Sequence, residues 1–258
     1  VTVAARELAA VGRFGARLYW RDKVALSTSV ALSLGLGIGL PLMMDRIRPG
    51  HPEMVLAQHL GVLAMILTIA TFSQIAVTLT ARRDQLLLKR MRATGLADRD
   101  ILGGEIANLV VQTTLLTGVV SVALYTLTGL RPPRDPLLYL TAVVAGCTVL
   151  CLLGAAITVI IPRTEVAAVV TMPFFLLSGL GAGGFGPMTE LLPGWVRSVL
   201  DLLPTAAIVE ASRVAYAAGG TLVGDLRAAA VPALTLAVWA VAALLVIRRW
   251  FRWETRKP

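Results

Sequence analysis

Six long apolar runs dominate the chain, at roughly residues 24–44, 55–80, 106–127, 137–161, 166–180 and 226–247. A helix needs about 20 mostly apolar residues to cross about 30 Å of hydrocarbon. The centres of all six runs are nearly free of charge. The pattern predicts an all-α membrane protein with six transmembrane helices. Residues 1–22, ahead of the first run, show a different rhythm. Leu8, Val11, Phe14 and Leu18 share one helical face, and Arg6, Arg13, Arg17 and Arg21 a neighbouring one. That is the signature of a helix lying in the membrane plane, with Tyr19 and Trp20 placed for an aromatic belt.

Between the fifth and sixth runs the pattern breaks. Pro173 interrupts the fifth run, and a glycine-rich stretch from Ser178 to Pro187 ends it. Two short amphipathic stretches follow, 191–203 and 206–218, bounded by Pro193 and Pro204 and carrying Glu210 and Arg213. They are too short and too polar to cross. They suit a re-entrant helical pair within 185–220, since irregular backbone at membrane depth is tolerated only where protein or water surrounds it. Gly179, Gly181 and Gly184 form a G-x-G-x-x-G match. A dinucleotide site needs a strand before such a motif and a helix after it. Here a membrane run precedes it and Pro187 closes it, so that reading is rejected. No Walker loop occurs either.

The bridge between the second and third runs is short and strongly basic. Arg82, Arg83, Lys89, Arg90, Arg92 and Arg99 cannot sit in hydrocarbon, where a central charge costs about 2.5–3.5 kcal/mol. Residues 85–94 have room for about three helical turns, with Leu86, Leu87 and Met91 on one side and the cations largely on others. Such a displayed helix suits a grip by a soluble partner. A topology anchor fits the pattern equally well. Glu105, at the edge of the third run, is placed to pair with an arginine of the preceding helix.

Composition agrees with a membrane class. Hydrophobic residues make up 57% of the 258, well above a soluble domain. The net charge of +9 raises the question of nucleic acid, but its distribution points to a bilayer. Seventeen cations lie before the first run, in the 81–105 bridge, after the fourth run and in the tail, against seven in the alternate loops. The positive-inside rule then places both termini in the cytoplasm. A secretory signal is not expected, because the first run is too long.

Side-chain chemistry inside the runs is sparse. Thr68, Thr71, Gln74 and Thr78 fall at a spacing of three to four, which puts them on one helix face. That face meets other helices through hydrogen bonds, or lines a path. Gly35 and Gly39 allow close approach of another helix. Cys147 and Cys151 sit one turn apart in the fourth run, a poor geometry for a disulfide, and read as small packing residues. His51 and His59 lack a carboxylate cluster, so no metal site is expected.

The order of elements resembles the membrane subunit of ABC-2-type ABC transporters, a group that includes bacterial drug-resistance and polysaccharide exporters. Two stretches carry the resemblance. Arg83-Asp-Gln-Leu-Leu-Leu-Lys-Arg-Met-Arg-Ala-Thr-Gly-Leu96 looks like the family's Arg-Glu-x-Gly-Thr-Leu-x-x-Leu-Arg-x-Thr-Pro-Leu loop. Asp84 replaces Glu, Leu86 and Leu87 stand where Gly-Thr is usual, and Gly95 replaces Pro. Pro173, Ser178-Gly179, Leu192-Pro-Gly-Trp195 and Leu203-Pro204, with Glu210 and Arg213 beyond, form the second stretch.

The resemblance implies that residues 85–94 are a coupling helix. Gln85, Leu86, Lys89, Arg90, Arg92 and Thr94 would then meet a separately encoded ATPase subunit, present in two copies. It also implies a second copy of this or a related permease chain, a plasma-membrane location, and re-entrant half-helices that close the path from outside. This chain would need no cofactor, since ATP and Mg would be bound by the partner.

The function expected is ATP-driven export of a hydrophobic or amphipathic small molecule, such as a drug or antibiotic, by alternating access. The candidate wall residues are Thr68, Thr71, Gln74, Met172, Phe175 and Ser178. Methionine and phenylalanine offer an adaptable apolar surface, and no intramembrane charge is present to serve an ion-coupled carrier. The alternatives are a non-transporting membrane anchor or sensor for an ATPase, or export of a glycan or lipid-linked precursor or a peptide. An enzyme is not expected, because Ser178 has no histidine partner nearby in sequence.

Overall fold

A computed structural model describes residues 23–93, 97–186, 191–217 and 222–251. All regular structure among them is helical. Span one is α1 (Lys23–Ile47). Span two runs from α2 (Pro52–Leu67) through a π-helical turn (Thr68–Ser73) into α3 (Gln74–Asp84). A short helix α4 (Leu87–Ala93) precedes span three, α5 (Asp98–Thr128). Span four is α6 (Pro136–Ile157) and span five α7 (Thr164–Gly181). Two short helices, α8 (Gly194–Leu200) and α9 (Pro204–Tyr216), lead to span six, α10 (Leu222–Trp250). Six of these helical stretches are long and apolar enough to cross a membrane. The protein is an all-α, multi-pass membrane protein. The expected interfacial helix, 1–22, lies outside the described residues.

Local chemistry sets several ends. Asp135 caps α6, its carboxylate accepting from the Leu138 N–H at 2.9 Å, and Pro136 takes the first helical position. Gly129 closes α5 in the left-handed region (φ 66°). Span three starts eight residues earlier than its apolar run. Asp98 and Asp100 lie in its first turn, where negative charge meets the positive end of the helix dipole.

Spans two and four form the centre of the bundle. Leu60, Leu63, Leu67, Ile75 and Leu79 are buried from span two, and Cys147, Leu150, Cys151 and Ala155 from span four. Both cysteines are free and act as packing residues. Span one makes its close approach at Gly37, not at the Gly35–Gly39 pair expected from spacing. A Cβ on Gly37 would come within 2.8 Å of Val120 and 2.9 Å of Ile66, whereas Gly35 and Gly39 face open space. Val246 and Ile247 of span six pack on Leu152 and Ala156 of span four. Arg248 and Arg249 therefore stand at the same end of the bundle as the 82–105 segment, here termed the basic end.

Candidate partner-docking and transmission site

At the basic end, three consecutive residues of span two reach three different spans. Arg82 donates to the Glu105 carboxylate of span three, with the two side chains only 8% and 3% exposed. Arg83 donates to the carbonyls of Thr158 at 3.2 Å, Ile161 at 2.6 Å and Pro162 at 3.4 Å, just past the end of span four. Asp84 Oδ2 accepts from the backbone N–H of Thr164 at 2.9 Å and from its hydroxyl at 2.7 Å, at the start of span five.

Two of the three contacts match the charge of the helix end they meet. A helix C-terminus carries unpaired carbonyls and partial negative charge, and an N-terminus unpaired N–H groups and partial positive charge. The cation Arg83 meets the former and the anion Asp84 the latter. Span four ends at Ile157, short of the expected 161. Its last residues turn tightly, with Thr158 N–H and hydroxyl both donating to Ala155 at 3.3 and 2.6 Å. Arg83 takes the carbonyl of Thr158, the C-cap residue, and those of Ile161 and Pro162 beyond the turn.

Two residues, Gln85 and Leu86, separate this knot from α4. Leu86 sits in the left-handed region at φ 56°, which redirects the chain and starts α4 at Leu87. The family-like loop has glycine at this place, and the positive φ supplies the physical reason. Within α4 the buried residue is Leu88, with no exposed surface. This corrects the predicted apolar side of Leu86, Leu87 and Met91. Leu86 is exposed, Leu87 and Met91 are half-buried, and Gln85 and Arg90 are exposed. Lys89 and Arg92 belong to the α4 backbone. Thr94 lies outside the described residues. The expected partner of Glu105 is thus Arg82 at the end of span two, not an arginine of α4.

Residues 6–217 match the family model described as ABC-2 type transporter. The chain belongs to the ABC-2 type transporter family. It is the membrane component of an ABC transporter rather than a catalytic domain, and its family implies association with an ABC ATPase. Comparison with the curated proteins finds no match.

The six candidate wall residues of this ABC-2 chain do not line one surface. Thr68 and Thr71 are fully buried. Their hydroxyls donate to the carbonyls four residues back, Ala64 at 2.8 Å and Leu67 at 2.5 Å. Such back-bonding competes with the helical ladder, and here it coincides with the π turn, which alters the face that simple α-helical spacing predicts. Gln74 and Phe175 are half-buried, Met172 is exposed, and Ser178 is buried with no protein partner for its hydroxyl. The aromatic contact between spans two and five uses Phe72 and Phe174, ring centroids 4.3 Å apart. A cavity of about 710 Å³ lies towards the opposite end, lined by Met43, Met44, Met54, Gln58, Phe185 and others. None of the six residues contributes to it.

The opposite end is tied by a second set of contacts. Gln58 Nε2 donates to the Gly184 carbonyl at 2.8 Å, and Gly61 lies so close to residues 182–184 that a Cβ would come within 2.5–2.7 Å of their backbone. Ser121 bridges Tyr139 at 3.1 Å and His59 at 3.4 Å, and Tyr125 meets Tyr216 at 2.5 Å. Sequence reading missed these partners. Only the glycines and the polar residues in apolar runs marked the positions.

Proposed function

We propose that this chain is the membrane-spanning permease subunit of an ATP-driven exporter that moves a hydrophobic or amphipathic small molecule across the plasma membrane by alternating access. The observation that carries the reading is the displayed helix α4 and the turn before it, with Gln85 and Leu86 of the turn and Arg90 of the helix exposed. It hangs from a span fastened to three others. A separate ATPase subunit, in two copies, docks there and binds ATP and Mg. A second copy of this or a related permease completes the membrane part. Both termini face the cytoplasm, as the seventeen-to-seven charge asymmetry supports. The helices α8 and α9 dip in from outside and close the path. Of the candidates Thr68, Thr71, Gln74, Met172, Phe175 and Ser178, the exposed Met172 and the half-buried Gln74 and Phe175 remain the proposed contacts along it. The buried members act by shaping the π turn and the start of the glycine-rich segment.

The test is affinity purification of the chain from its native membrane, with and without Arg90→Glu and Arg92→Glu. Co-purification of an ABC ATPase with the parent chain and its loss from the variant supports the docking role. Absence of any ATPase across several mild detergents overturns the exporter reading. An ATPase that binds but is never stimulated by hydrophobic compounds marks a non-transporting anchor instead.

A further inference from the structure

We propose that Arg82, Arg83 and Asp84 form a transmission knot that makes the basic ends of spans two, three, four and five shift as one body when α4 is displaced. The inference rests on the docking role of α4 and assigns the residues that carry its movement onward. The three side chains are consecutive, yet each holds a different span: Glu105 in span three, the Thr158–Pro162 carbonyls after span four, and Thr164 at the start of span five. Two of the three contacts are buried, where water does not compete for the donors. Only Gln85 and Leu86 lie between the knot and α4, and the left-handed Leu86 leaves little conformational slack. α4 is also held from below by Leu88, which is fully buried. A push on α4 therefore reaches all four spans through one short segment. Arg82, Arg83 and Asp84 are positioning residues and need touch no substrate.

The knot predicts that α4 and span five move together, with Asp84 as their polar link at the basic end beside the apolar packing of Ala76 and Ala167. The test uses the permease–ATPase complex in nanodiscs, with Cys147 and Cys151 replaced by alanine. Spin labels are placed on Ala93 in one preparation and on Glu165 in another, both exposed. Pulsed-EPR distances between the two copies are read without nucleotide and after trapping with ATP and vanadate. In the parent chain both distances shift on trapping. In Asp84→Ala, the Ala93 shift persists and the Glu165 shift is smaller than in the parent. Asp84 is exposed, so this variant is expected to fold, and Arg83→Lys provides a second test with charge retained and fewer carbonyls reached. Equal Glu165 shifts in parent and both variants overturn the knot while leaving docking intact. Failure of Ala93 to shift in a parent complex that retains its ATPase overturns the docking role of α4, and the knot with it.

Discussion

Gly154 of span four lies directly against the carbonyl oxygen of Phe72, inside the π turn of span two. A Cβ there would collide with that backbone and with Ile75. The two most buried spans cross at this point, and only a hydrogen fits between them. Gly154→Ala is expected to destabilise the chain by about 1–3 kcal/mol, the usual cost of overpacking. Gly118→Ala, where nothing lies within 4 Å, is expected to gain about 0.5–1 kcal/mol from helix propensity. Thermal unfolding of the purified chain in one detergent reads both, and a loss at Gly118 to match that at Gly154 would contradict the packing account.

The buried pair Arg82–Glu105 makes a sharper prediction. Removing one partner strands the other charge, at a cost of about 3–5 kcal/mol. Glu105→Ala is expected to show that loss. The exchange Arg82→Glu with Glu105→Arg is expected to recover much of it, because the pair is restored in reverse. A double-mutant cycle on thermal stability gives the coupling directly, and additive losses would deny the pairing.

Leu88 and Arg90 lie two residues apart in α4 with opposite environments. Leu88→Ala is expected to lower stability by about 2–5 kcal/mol, as for other buried leucines. Arg90→Ala is expected to stay within about 0.5 kcal/mol of the parent while weakening ATPase capture. Unfolding and pull-down measured on the same preparations separate the anchor of the helix from its docking face.

Leu86 pays a conformational penalty for its positive φ, about 1–2 kcal/mol for a residue with a Cβ. Leu86→Gly removes the penalty and loses little burial, since the side chain is exposed. Stability is expected to stay level or rise by up to about 1 kcal/mol, whereas Leu86→Val is expected to lower it. A melting temperature that falls with glycine and holds with valine would refute the left-handed turn.

Gln58 holds the glycine-rich segment after span five through the Gly184 carbonyl. Gln58→Leu leaves a buried acceptor unmade, at about 1–3 kcal/mol. Amide hydrogen exchange over residues 182–186 is expected to quicken while the core of span four is unchanged. Uniform quickening across the bundle would point to global loss instead.

The class of fold and the number of spans follow from the apolar runs alone. Twenty-residue apolar runs have no stable alternative in a bilayer, where every backbone polar group must be paired within its own helix. The sequence also marked the basic segment between spans two and three, because clustered cations cannot enter hydrocarbon, and it named Glu105 as an acid in need of an arginine. Tertiary structure decided what each of those charges does. Arg82, Arg83 and Arg90 look alike in the sequence, yet the first is buried in an ion pair, the second caps span four, and the third faces outward. Their partners lie 23 residues away for Arg82 and 75–79 for Arg83, and no local pattern specifies a contact at that range. The face of span two was decided in the same way. Periodicity assumes an unbroken α-helix, and the π turn at Thr68–Ser73 breaks it. Span four, with Gly154 against Phe72, meets span two inside that turn.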